Sequence, residues 1–74
     1  MARYKVITKS SNLNVRQEPN INAPVIGKFA KGTEVVGLEE ISGWAKVELP
    51  DGKIGYSSLT YLEKISELNS TSLF

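Results

Sequence analysis

The sequence predicts an all-β fold: a small barrel or sandwich of five to six short antiparallel strands. Two observations carry this. Runs rich in β-forming residues recur along the 74 residues, with turn residues about every eight to twelve positions, the spacing of small all-β folds. The stretch from Gly43 to Tyr56 also reads as a hairpin whose turn, Pro50-Asp51-Gly52, has defined chemistry. Pro50 pre-sets φ for a type I turn, Asp51 suits the next position, and Gly52 takes the left-handed conformation after it. That is a three-residue loop with a Gly bulge, and it sets the register. Leu49 faces Lys53, Val47 faces Gly55 and Lys46 faces Tyr56. Ala45, Val47 and Leu49 then share the core face, while Trp44, Lys46, Glu48 and Tyr56 share the other, because a slip of one residue would exchange the faces.

The remaining elements follow in order. Tyr4–Thr8 is the first strand and Lys9–Asn12 a polar turn. Leu13-Asn14-Val15-Arg16 alternates, so Leu13 and Val15 point inward and Asn14 and Arg16 outward. Residues 17–24 carry Pro19 and Pro24 and form a long irregular loop, a kind of segment that tends to be functional. Val25–Phe29 is a short strand turned by Ala30–Thr33. Glu34–Leu38 is the next, with Glu39–Gly43 as the connection into the hairpin. Ser57–Thr60 makes a single helical turn, and Tyr61–Glu63 closes the sheet. The sequence thus divides into a domain over 1–63 and a tail or linker over 64–74, whose apolar residues are scattered.

Composition bounds the function. Hydrophobic content of 41% and charge of 23% suit a folded domain. With no cysteine there is neither a disulfide nor a thiolate metal site, so a chain this short depends on packing alone. Net charge is +1 and the nine basic residues are spread along the chain, which argues against nucleic acid as partner. No apolar run approaches a membrane span, and the N-terminal residues lack the apolar core of a signal peptide.

The residues also argue against catalysis. Histidine and cysteine are absent, removing the commonest general base and the strongest nucleophile. Asp51 is explained by the turn. Glu39-Glu40 is the one adjacent acidic pair, and its expected place is a solvated surface turn. No metal-ligand spacing occurs, and the glycines fall singly, so there is no phosphate loop. No cofactor is expected.

Leu13-Asn14-Val15-Arg16 followed by Pro19, then Val25-Ile26-Gly27, Lys31-Gly32-Thr33, Gly43-Trp44, Lys46-Val47, Gly52, Gly55 and Tyr61-Leu62, resembles in order and spacing the bacterial SH3 domain (SH3b) family. The resemblance covers residues 4 to 63 and implies an SH3-like barrel. Ala45, Gly37 and Ser57 replace the aromatic, β-branched and aliphatic residues usual in the family, which suggests a less filled core. Tyr56 replaces a frequent tryptophan.

The resemblance implies binding without chemistry. Such domains are commonly appended to peptidoglycan hydrolases and phage endolysins, so the expected partner is bacterial peptidoglycan, through its peptide stem or cross-bridge, together with a catalytic domain or subunit. The expected place of action is outside the cell or at the wall, with no signal peptide in this chain. The alternative is a protein-interaction or packing module that ignores walls. The expected ligand-binding residues are Trp44, Tyr56, Tyr61, Arg16, Asn14 and Glu18. Glu18 is a polar contact at the start of the loop, and the other five have a structural reading beside the functional one. Trp44 and Tyr56 are equally an aromatic pair packed on the sheet, Arg16 a donor to loop carbonyls, Asn14 a cap for the long loop, and Tyr61 a core residue.

Overall fold

The computed structural model describes residues 1–67. It is all-β and SH3-like, with seven strands and one 3-10 turn. The strands are β1 (Ala2–Val6), β2 (Leu13–Arg16), β3 (Val25–Phe29), β4 (Glu34–Ile41), β5 (Trp44–Glu48), β6 (Ile54–Ser58) and β7 (Leu62–Glu67). The 3-10 turn, Leu59–Tyr61, separates the last two. Every pairing is antiparallel, and the strand order is β3-β2-β6-β5-β4-β1-β7.

Seven strands replace the expected five or six, and no ladder joins the edge strands β3 and β7. The sheet nevertheless wraps one core. Tyr4 and Val6 of β1, Val15 of β2, Phe29 of β3, Val35 of β4 and Val47 of β5 all belong to a single buried cluster. A flat sheet could not bring strands so far apart in its order into one cluster, so the sheet curls.

Strict alternation supplies that core. In β1 the residues Ala2, Tyr4 and Val6 are buried while Arg3 and Lys5 are exposed. In β5 Ala45 and Val47 have no exposed surface. The hairpin register is the expected one: Val47 lies opposite Gly55 and Lys46 opposite Tyr56. The Leu49 N–H donates to the Lys53 carbonyl at 2.8 Å, the Gly52 N–H to the Leu49 carbonyl at 2.8 Å, and Gly52 has φ +91°. That positive φ is what makes glycine necessary there.

Four boundaries differ from the sequence reading. The helical turn expected over 57–60 forms at Leu59–Tyr61, because Ser57 and Ser58 continue β6 in its pairing with β5, and the closing strand starts at Leu62 rather than Tyr61. The first strand starts at Ala2 and ends at Val6 rather than spanning 4–8, because Tyr4 and Val6 already define its buried parity and the chain leaves the ladder after Val6. Strand β4 runs on to Ile41, so Glu39 and Glu40 lie in the sheet and not in a turn. A bulge between Gly37 and Glu39 keeps β4 paired with β5, and the turn shrinks to Ser42-Gly43. Both residues have positive φ (47° and 85°), as in the tight hairpin turns that match strand twist. Finally β7 extends to Glu67 by pairing with β1, so residues 64–67, expected in the tail, belong to the sheet; the rest of the expected tail, 68–74, lies outside the described residues.

The unusual core residues fill space in other ways. A Cβ at Gly37 would overlap the Tyr4 ring, so the missing side chain makes room for a buried tyrosine. Ser57 is fully buried and its Oγ donates to the Asn14 carbonyl at 3.0 Å. This bond spans the corner between β2 and β6, where backbone pairing is confined to Arg16 and Tyr56. Ser57→Ala is expected to cost about 1 kcal/mol, the usual net value of such a bond, measured by urea unfolding. An unchanged midpoint would show that the bond contributes nothing.

Candidate functional site

An open groove of about 850 Å³ lies at one end of the sheet. Its walls come from segments far apart in sequence. Trp44 enters from the first position of β5, placed on the outer face by the burial of Ala45 beside it, with Ser58 of β6 as its cross-strand partner. Tyr61 and Thr60 come from the 3-10 turn. That turn is capped by Ser58, whose Oγ accepts from the Thr60 N–H at 3.3 Å. The Leu59 N–H also donates to the Gly43 carbonyl at 2.9 Å, which ties the turn to the strand that bears Trp44.

The opposite wall is built by the segment after β1, by β2 and by the long loop. Ile7 donates its backbone N–H to the Tyr61 carbonyl at 2.9 Å, so these two exposed apolar side chains line the groove from adjacent backbones. Thr8 is buried and its hydroxyl donates to the Ser11 carbonyl, which fixes the tight path of Lys9–Asn12. Ile21 projects from the 17–24 loop with 74% of its surface exposed and lines the same groove. The loop is held by an Asx-type bond, Asn22 N–H to Asn20 Oδ1 at 2.9 Å, and by Arg16, whose guanidinium donates to the Ala23 carbonyl at 2.8 Å.

Of the residues expected from sequence, Trp44, Tyr61, Arg16 and Asn14 come together in this groove. Tyr56 and Glu18 do not line it. Tyr56 is half-buried on β6, opposite Arg16 on one side and Lys46 on the other. It shares the outer face with Trp44 but sits one cross-strand step away from the groove. Glu18 is exposed at the start of the loop. Arg16 has both of its expected features, since it donates to a loop carbonyl and also lines the groove.

Ile7, Lys9, Ile21 and Thr60 line the groove without having been singled out from sequence. Parity pointed to Ile7, because burial of Tyr4 and Val6 puts it outside. Ile21 was visible as the lone large apolar residue between two prolines.

A second, smaller and more polar cleft surrounds Glu40, lined by residues of β4, β1 and β7. The buried Tyr4 donates its hydroxyl to Glu40 Oε2, and Lys64 Nζ lies 3.3 Å from the same oxygen and 6.0 Å from the centre of the Tyr4 ring. Glu39 forms its own ion pair with Lys46 at 4.0 Å. The expected solvated loop is therefore a pair of partnered strand carboxylates. The Tyr4 hydrogen bond, followed by the bond and charge of Lys64, holds the Glu40 carboxyl below its ordinary range. A carboxyl lowered on folding stabilises the fold above its ordinary pKa, and the contribution is lost as pH falls through the lowered value. Glu40→Gln should accordingly be less stable than wild type at neutral pH, with the difference closing below the ordinary carboxylate range. Thermal unfolding against pH checks this, and a difference that stays constant into acid would refute it.

Among the described residues no cluster of three histidine, cysteine, aspartate or glutamate side chains is placed to hold a metal. No curated protein matches the chain significantly. The family model of the bacterial SH3 domain matches residues 11–63, which include most of the groove and the whole Trp44–Tyr56 hairpin. A match over more than half the chain, on a curled antiparallel sheet with this hairpin register, means that the protein belongs to the bacterial SH3 domain family, a family of binding modules.

Proposed function

We propose that this domain binds the peptide part of bacterial peptidoglycan through the Trp44–Tyr61 groove, and so holds an associated wall hydrolase against its substrate. The observation that supports the reading most is the groove's lining. Two aromatic rings and two exposed isoleucines converge where a stable fold has no need to expose them, beside the polar groups of Arg16, Asn14 and Thr60. Apolar walls with a few convergent polar groups are the usual composition of a ligand site. An extended peptide suits a groove with open ends, and backbone and side-chain donors along it give register.

The test is a pull-down of the full chain on purified Gram-positive walls, with Trp44→Ala, Tyr61→Ala and Tyr56→Ala beside wild type. Retention of wild type and of Tyr56→Ala, with loss of the two groove variants, is the expected result. No retention by walls from a broad set of species would favour a packing module that meets another protein.

A further inference from the structure

The charged side chains that line the groove are both cationic. Lys9 and Arg16 line it, and none of the chain's eight acidic residues does. A third cation stands close by, since Lys31 donates its ammonium to the Lys9 carbonyl at 2.7 Å. The chain as a whole carries a net charge of only +1, so this concentration is local. Among the described residues no acid pairs with Lys9, Arg16 or Lys31. The ion pairs among the described residues are Lys46 with Glu39 and Lys64 with Glu40, both on the β4 side of the sheet. Glu18, the acid nearest to Arg16 in sequence, forms no pair with it.

From this placement we infer that the groove selects an anionic peptide: a segment with a free carboxylate received by Arg16 and Lys9, and small aliphatic side chains lying on Trp44, Tyr61 and Ile7. This rests on the proposed function and narrows it. Arg16 is suited to the task because one arm of its guanidinium is already fixed on the Ala23 carbonyl. The group is pre-oriented, and its remaining donors are aimed without further loss of side-chain freedom. Lys9 is exposed and acts as a mobile point charge at the rim. The aromatic and isoleucine walls favour a peptide over a purely anionic polymer, which would leave that apolar surface unused.

Isothermal titration of the full chain tests the inference with a stem-type pentapeptide ending in D-Ala-D-Ala, prepared as the free acid and with its carboxyls amidated, and with pentaglycine amide as a neutral control. The free acid should bind about tenfold tighter than its amide, the scale of one charge-assisted hydrogen bond. Lys9→Glu, at an exposed position that leaves the core intact, should reduce or reverse the preference, and added salt should weaken the free acid selectively. Equal binding of acid and amide, or a preference for pentaglycine, would overturn the charge selection while leaving wall binding in place. Wall retention that disappears when anionic polymers are stripped from the wall, with no peptide bound, would overturn it in favour of a phosphate polymer. Failure of the walls and all peptides to bind would remove both readings.

Discussion

Gly55→Ala should lower stability by about 2–3 kcal/mol, the upper part of the range for overpacking a filled core. Gly55 is buried on β6 opposite Val47. A Cβ there would overlap Val15 Cγ1, come 3.0 Å from the Arg16 carbonyl oxygen and 3.1 Å from Ile26 Cδ1. Val15 has no exposed surface and cannot swing away, and the Arg16 oxygen is backbone at the β2–β6 corner. A domain of this size has only about 4–11 kcal/mol of stability in all. The melting temperature should therefore fall by about 10–20 °C, followed by circular dichroism. A fall of less than about 2 °C would mean that β2 and β6 do not meet as described.

The second large effect is on binding and should leave stability nearly unchanged. Trp44→Ala is expected to weaken wall or peptide binding by about 30-fold or more, the loss of at least about 2 kcal/mol typical of a central aromatic contact. Trp44 is half-buried and lies outside the core cluster, so its removal does not open a core cavity. Tyr61→Ala should behave similarly, because its ring is 48% exposed and lines the same groove. Tyr56→Ala should bind as wild type. A binding loss at Tyr56 equal to that at Trp44 would relocate the site along the β5–β6 face. A large stability loss at Trp44 would identify it as a packing residue instead.

The contrast between Trp44 and Tyr56 shows how far the sequence reaches. The hairpin is legible to the level of register, because Pro50 ahead of Asp51-Gly52 favours the three-residue loop over a two-residue Asp-Gly turn, and that geometry assigns every face. Both aromatics accordingly belong to the outer face. Which part of the face becomes a groove depends on Lys9–Asn12, Ile21 and the 3-10 turn, segments brought there by the curl of the whole sheet. No local pattern encodes that placement. The same limit explains Glu39 and Glu40. Two adjacent acids read as a turn, whereas backbone pairing with β5 keeps both in a strand, where Glu39 meets Lys46 and Glu40 meets Tyr4 and Lys64. It also explains β7, whose polar sequence beyond Glu63 is held by pairing with β1 and not by its own hydrophobic pattern. Gly37 reads as a missing core side chain, and the Tyr4 ring occupies the space that side chain would need.

The proposed function requires that ligand meet the protein in the Trp44–Tyr61 groove. The decisive measurement is an amide and indole NMR titration of the full chain with peptide-bearing wall fragments released by a glycosidase. Shifts at the Trp44 indole N–H and at Ile7, Asn14, Arg16 and Tyr61, with Tyr56 and Glu40 unmoved, are the predicted result. Shifts gathered around Glu40 and Lys64, or centred on Tyr56, would contradict it.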